Sequence, residues 1–340
     1  MTEQRIIECV PNFSEGRDMA VIRQITDAIT SVPGISLLNV DPGEAANRTV
    51  VTFVGAPEAV AEAAFRGART AGQVIDMRRH HGTHPRIGAT DVLPLIPVAG
   101  ITLEECAQLA RQLAARMARE AGIPCYAYEA SAFRPERRNL AVCRAGEYEA
   151  LHEKLTNPDL LPDFLPPTVG SGSPASVPES IRRCGCTVVG ARNYLIAVNW
   201  NLNTTDVAIA KAIAREVREK GGGLKATKAI GWYIEEYGIA QVSMNMTDIG
   251  ITPLHAAFEE VSRRAMQHGV RVTGTEIVGL VPLQSLLQAG RYFMEQRHQP
   301  TDVPDEELIA EAVGTMGLAD LRPFLPRQKV IEYLLEDALS

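Results

Sequence analysis

Aromatic residues are scarce, at 5% of 340 positions with only two tryptophans. The core must therefore be filled mainly by Ala, Val, Ile and Leu. Positive charge is also short: 34 Lys and Arg stand against 41 Asp and Glu, for a formal net charge of −7. That balance argues against a general nucleic-acid binder, which needs a basic field. An anionic substrate needs a local basic patch working against the overall charge. No run of about 18 apolar residues occurs, so no membrane span is expected. The opening MTEQRIIECVPNF has Arg5 as its early cation and no long apolar stretch. It does not read as a secretory signal, and a cytoplasmic location is the expectation. Six cysteines are scattered along the chain (Cys9, Cys106, Cys125, Cys143, Cys184, Cys186). They predict reduced thiols rather than a disulfide framework. Cys184-Gly185-Cys186 is too short for the usual Cys-x-x-Cys zinc spacing and has no second pair.

What is present is 46% apolar and 22% charged, the balance of a globular chain long enough for two domains. Periodicity gives strands at Arg5–Val10, Ile35–Asp41, Arg48–Gly55, Asp91–Val98 and Pro124–Tyr128. Helices are expected over Asp18–Ser31, from Pro57 to about Ile75, and from the capping box Thr102-x-x-Glu105 to about Glu120. In the second half Thr187–Trp200 holds a strand and Thr204–Lys220 a helix. Thr227–Glu236 and Ile239–Met246 read as a hairpin, followed by a helix to about His268 and a strand at Val270–Val278. The tail from Asp305 reads as helical. Both halves thus read α/β (α+β) with a βαββαβ-like order, each a sheet with helices on one face. Two bare sheet faces turned to each other would make a ligand cleft. Between them Asn157–Ser180 is rich in Pro, Gly and Ser, and reads as a linker or an active loop.

The densest polar cluster is Arg78-Arg79-His80-His81-Gly82-Thr83-His84-Pro85-Arg86, followed by Asp91. Three histidines and three arginines fall in nine residues. Histidine moves protons near neutral pH, and arginine pairs bidentately with carboxylates. The combination suits proton transfer on an acidic substrate. The bland alternative is a solvated basic turn after a helix. A metal reading uses His80 and His84, four apart. Gly82 and Pro85 oppose a helix there, and no Glu lies between the histidines. Asn12-Phe13-Ser14-Glu15-Gly16 and the loop Asp41–Arg48 are polar segments at the ends of two strands, with plain turns as their alternative. No phosphate loop and no Gly-x-Ser-x-Gly elbow is present.

Cys9–Gly16, Asp41-Pro42-Gly43 with Asn47-Arg48-Thr49, and His84-Pro85-Arg86-Ile87-Gly88-Ala89-Thr90-Asp91 closely resemble the glutamate formimidoyltransferase (formiminotransferase) family. Arg144-Ala145-Gly146-Glu147-Tyr148-Glu149, Gly190-Ala191-Arg192 and Val278–Leu283 extend the resemblance, in order, from about residue 5 to residue 335. The resemblance implies transfer of a formimidoyl group from N-formimidoyl-L-glutamate to N5 of tetrahydrofolate, as part of histidine breakdown. Tetrahydrofolate would be a co-substrate and no metal is expected. Two subdomains, residues 1–180 with the catalytic loop and residues 181–340, would line a ligand tunnel with their sheet faces, commonly in a homodimer. No cyclodeaminase activity is expected of this chain.

The family's catalytic histidine falls at His84. Chemistry and position assign Asp41 to orienting the base or holding a pterin nitrogen. They assign Arg48 and Arg86 to a substrate carboxylate, with Asn12 beside them as a polar contact. The folate-binding segment falls on Leu165, Pro166, Pro167, Thr168, Val169 and Gly170, with Arg182, Arg183, Cys184 and Gly185. There the loop is longer than the family pattern, and Cys184-Gly185-Cys186 replaces the usual small residues. Formyl transfer from 5-formyltetrahydrofolate to glutamate is the alternative reaction, and a non-catalytic folate-binding module the alternative class.

Overall fold

The structure, a computed structural model, describes residues 5–169 and 177–339. It divides into two compact units, the first ending at Asn193 and the second beginning at Tyr194.

The first unit is built on a seven-stranded sheet. Its strands are β1 (Ile6–Cys9), β2 (Asn12–Phe13), β3 (Ser36–Gly43), β4 (Arg48–Gly55), β5 (Thr90–Ala99), β6 (Cys125–Glu129) and β7 (Thr187–Ala191). β1 and β2 are interrupted at Val10-Pro11, and both lie between β4 and β5. β3 pairs antiparallel with β4, as the short link between them predicts. β7 then pairs parallel with both β5 and β6. This last pairing carries the first unit beyond the boundary expected at 180/181. What reads in sequence as one strand-bearing stretch, Thr187–Trp200, is two strands in two different sheets, separated by Arg192–Leu195.

Three helices form from local signals and bury one face each. In α1 (Met19–Thr30) the Asp18 carboxylate caps the Ala20 and Val21 amides, and Ile22, Ile25 and Ile29 are buried. α2 (Pro57–Val74) starts with proline at its first turn and buries Ala63, Ala64, Ala68 and Ala71. α3 (Leu103–Arg116) opens on the Thr102/Glu105 capping box and continues as a π-turn, Met117–Ala121, which Gly122 ends in a left-handed conformation. These helices pack against Ile7, Cys9, Val51, Phe53, Leu93 and Leu95 of the sheet. Alternation sends the intervening residues to the opposite face. There Val92, Tyr126, Tyr128 and Val188 meet a second cluster with Cys143, Leu151 and Ile181. The short helices α4 (Leu140–Cys143), α5 (Leu151–Thr156) and α6 (Glu179–Cys184) belong to that cover.

Residues 157–169 are therefore a packed part of the first unit, not a connector. Phe164 exchanges backbone hydrogen bonds with Cys125 at 2.9 and 3.0 Å. Asp163 accepts from the Ala127 amide at 2.8 Å and forms a buried ion pair with Arg137 at 2.6 Å.

The second unit is an antiparallel four-stranded sheet, β8 (Ile196–Leu202), β9 (Thr227–Ile234), β10 (Ile239–Met246) and β11 (Val272–Val278), in the order β11-β8-β10-β9. With α7 (Val207–Val217) and α8 (Leu254–Gln267) it is the βαββαβ unit expected from sequence. Val198, Trp200, Val242 and Met244 point into its core, together with α9 (Leu283–Gln296) and α10 (Asp305–Met316). Their neighbours form a polar ladder on the other face. Trp232 Nε1 donates to Gln241 Oε1 at 3.0 Å, and Gln241 Nε2 donates to Asn201 Oδ1 at 2.8 Å. Asn201 Nδ2 in turn donates to Asp320 at 3.1 Å. α11 (Pro326–Lys329) and α12 (Ile331–Leu339) end the described chain. No helix of the described residues is long and apolar enough to cross a membrane.

Candidate active site

The three polar segments singled out in the sequence come together at one end of the first sheet. Asn47 is the knot. Its Oδ1 accepts from the Gly16 amide at 3.0 Å, and its Nδ2 donates to the His81 carbonyl at 3.0 Å. Its own carbonyl accepts from His80 Nε2 at 2.8 Å. The Thr83 amide adds a bond to the Ala45 carbonyl at 3.2 Å. A side chain at position 82 would press within 2.1 Å of the Ala46 oxygen, so only glycine lets the histidine loop lie this close.

Sheet register arranges the next layer. Asn12 on β2 and Asp41 on β3 both lie opposite Val50 of β4, and Arg48 is two residues along on the same face. Arg48 Nε donates to Asn12 Oδ1 at 3.0 Å. Arg48 Nη1 is in close contact with Oδ2 of the fully buried Asp91. Arg144 Nη2 reaches the same Oδ2 at 2.7 Å, while the Ile87 amide donates to Oδ1 at 2.9 Å. Burial alone would raise the Asp91 pKa, but the two guanidiniums outweigh it and hold the carboxyl below its usual range.

His84 is half-buried beside this cluster. Its Nδ1 lies 2.7 Å from the Pro85 carbonyl. A carbonyl only accepts, so Nδ1 carries the hydrogen and the neutral ring keeps its lone pair on Nε2. Burial, then Arg48 and Arg144, push the His84 pKa down to about 3 against the opposing pull of Asp91. The unliganded ring is therefore neutral at physiological pH.

Arg86 is placed differently from Arg48. Its guanidinium is bidentate to Glu149 at 2.7 Å through both Nη atoms, and Nη1 also meets Glu147 at 3.1 Å. Its Nε donates to His80 Nδ1 at 3.3 Å. Both ring nitrogens of His80 are thus engaged, which removes it from the His80/His84 metal pairing considered from spacing. A cavity of roughly 400 Å³ opens on this side, lined among others by Arg86, His80, His81, Tyr148 and Glu149.

The segment Leu165–Gly185 divides. Pro167 and Thr168 are exposed, while Pro166 and Val169 are buried. Gly170 lies outside the described residues, as do residues 171–176. Arg182 is exposed beside Glu179, and Arg183 donates to the Gln73 carbonyl at 2.6 Å. Cys184 and Gly185 lie against the segment that follows the histidine loop. The Cys184 carbonyl accepts from the Ala89 amide at 2.7 Å, and the Cys186 amide donates to the Ile87 carbonyl at 3.1 Å. Gly185 has φ +68°, and a Cβ there would stand 2.4 Å from the Ile87 oxygen. Burial pushes the Cys184 thiol up to about 12. Among the described residues no group of three or more His, Cys, Asp or Glu is placed to hold a metal ion.

Sequence reasoning gave no role to Arg144, although its motif stood out. Its signal is a Gly-Glu-Tyr-Glu turn. Gly146 and Glu147 take positive φ there, which turns Arg144 toward Asp91 and Glu147 and Glu149 toward Arg86.

Two family models cover the chain. Residues 6–192 match the formiminotransferase domain, N-terminal subdomain, and residues 197–336 match the formiminotransferase domain. The chain belongs to the formiminotransferase family. It is 46% identical over 340 residues to a formimidoyltransferase-cyclodeaminase of Sus scrofa, covering 98% of this chain and 60% of that protein. The chain thus spans about 60% of the length of its cyclodeaminase-bearing relatives. It is 43% identical over 291 residues to a glutamate formimidoyltransferase of Streptococcus pyogenes serotype M1, covering 86% of this chain and 94% of the other. A glutamate formimidoyltransferase of Thermoplasma acidophilum is 41% identical, covering 85% and 92%. The N-terminal match encloses every group in the His84 cluster.

Proposed function

We propose that the protein transfers a formimidoyl group from N-formimidoyl-L-glutamate to N5 of tetrahydrofolate, with His84 as the proton carrier. The observation that carries the reading is the 2.7 Å contact between His84 Nδ1 and the Pro85 carbonyl. The ring's Nδ1–H is committed to that carbonyl, and Nε2 is the basic nitrogen, in a chain of this family. As N5 attacks the formimidoyl carbon, Nε2 takes the N5 proton. The carbon becomes tetrahedral with three nitrogens on it. Collapse breaks the bond to the glutamate nitrogen, and the proton returned from His84 lets that nitrogen leave as an amine.

Folate is the co-substrate of the family in general. For this chain, the exposed Pro167, Thr168 and Arg182 are the proposed folate contacts of the Leu165–Gly185 segment. Cys184 and Gly185 pair with Ile87–Ala89, the segment that leads from the catalytic loop into β5. Asp41, in the same cross-strand row as Asn12, is proposed to hold a pterin nitrogen. The test is to mix purified protein with tetrahydrofolate and N-formimidoyl-L-glutamate and follow 5-formimidoyltetrahydrofolate spectroscopically. Formation of that product supports the reading. Turnover only with 5-formyltetrahydrofolate and glutamate would replace it with formyl transfer, and absence of both reactions would leave a binding module.

A further inference from the structure

The charges around Asp91 do not balance. Asp91 is fully buried, and the side chains of Arg48 and Arg144 are 9% and 12% exposed. Both guanidiniums meet the same carboxylate oxygen, and the other oxygen is used by the Ile87 amide. With His84 neutral, the four groups carry one surplus positive charge. A desolvated cation without full compensation is costly. Arg48 offsets part of that cost with the neutral Asn12 Oδ1. Arg144 is less satisfied: its Nε–H is buried and has no acceptor among the described residues.

Arg86 does not share this deficit. Glu149 and Glu147 between them take three of its hydrogen bonds, and His80 takes the Nε–H. A substrate carboxylate reaching Arg86 has to displace acidic side chains already there. At the Arg48/Arg144 pair it meets two cations sharing one carboxylate.

We propose that Arg144, paired with Arg48, is the specificity residue that receives a carboxylate of the amino-acid donor. This rests on the reading that the donor is an acidic N-formimidoyl amino acid. The guanidinium fork suits a planar carboxylate better than an ammonium does. The arrangement has a consequence for the base. The groups acting on His84 include Arg48 from β4, Arg144 from the turn after α4, Asp91 from β5 and the Pro85 carbonyl. A bound carboxylate offsets the two guanidiniums and makes the imidazole more basic. The donor's arrival thereby readies the proton acceptor.

Glutarate, a dicarboxylate with no transferable group, is the probe. Calorimetry on the full chain is expected to show glutarate binding to the wild type. Arg144→Gln is expected to weaken it by roughly 10- to 100-fold, as loss of charge-assisted bonds should. Arg144→Lys keeps the charge without the fork, so it is expected to fall between the two, and it serves should Arg144→Gln fail to fold. In the transfer assay the same variants are expected to raise KM for the donor while leaving KM for tetrahydrofolate unchanged. Equal glutarate affinity in all three proteins, no glutarate binding by the wild type, or a loss confined to kcat overturns the proposal. Glutarate binding that depends on Arg144 in a protein without formimidoyl transfer would overturn the assigned reaction instead, and leave the carboxylate site standing.

Discussion

Arg144 places its Nη2 2.7 Å from Oδ2 of Asp91, across 53 residues of chain. Through this contact the turn after α4 joins the strand that follows the histidine loop. Glu147 and Glu149 of the same turn hold Arg86, and the Tyr148 amide donates to the Arg86 carbonyl at 3.0 Å. His84 is therefore flanked by two anchored neighbours, Arg86 and Asp91.

Removing the shared carboxylate tests how much of the fold depends on it. Asp91→Asn leaves two largely buried guanidiniums facing a neutral amide. Breaking a buried pair from one side costs about 3–5 kcal/mol. Denaturant unfolding is expected to show a loss of that size, and a change under about 1 kcal/mol contradicts the charge pairing.

The His84 environment also makes stability depend on pH. The folded pKa is lowered to about 3, so between that value and the unfolded value of about 6.5 the unfolded chain binds the extra proton. The imidazole's contribution is fully present above about pH 6.5 and is lost as pH falls toward 3. Wild type is expected to lose more stability than His84→Gln when both are titrated from pH 7 to pH 4. Parallel curves for the two proteins count against a desolvated, cation-flanked ring.

Asn47 ties three loops through two buried bonds and one partly buried bond. Asn47→Asp keeps the acceptor for the Gly16 amide but loses the donor to the His81 carbonyl. A cost of about 1–3 kcal/mol is expected from the lost donor and from the carboxylate now facing the His81 carbonyl. Activity should fall with it, because the His84 loop loses an anchor. Thermal unfolding paired with the transfer assay checks both.

Gly185 bridges to Gly88, just after the histidine loop. Gly185→Ala forces an unfavourable φ and a contact 2.4 Å from the Ile87 oxygen. Destabilisation of about 1–3 kcal/mol is expected. Cys184→Ala removes only a buried, protonated thiol and is expected to retain activity under both oxidising and reducing conditions. Redox-dependent activity in the wild type that Cys184→Ala abolishes would give the thiol a role it lacks here.

Most secondary elements were legible because their signals are local. Asp18, Pro57 and the Thr102/Glu105 pair each mark a helix start that the structure keeps. The division between the units was harder to read. β7 is a short buried strand whose partners, β5 and β6, are chosen by long-range parallel pairing that no local pattern announces. The packing of residues 157–169 was hidden for a similar reason. Its Pro-rich composition resembles a linker, yet the Arg137–Asp163 pair and the Phe164 backbone bonds fix it.

Within the site, the histidine loop and the segments around Asn12 and Asp41 stood out as clusters of polar types. The separate environments of Arg48 and Arg86 did not, since two arginines look alike until their acidic neighbours are placed. Arg144 was visible only as part of a motif, because its partner lies on another strand.

The proposed reaction turns on His84 carrying the proton during transfer. It is tested most directly by the turnover of purified His84→Ala with tetrahydrofolate and N-formimidoyl-L-glutamate, after circular dichroism has shown that the variant folds. A fall in kcat of roughly 10²- to 10⁴-fold is expected, the range for a lost general base. A folded variant turning over within a few-fold of wild type contradicts it.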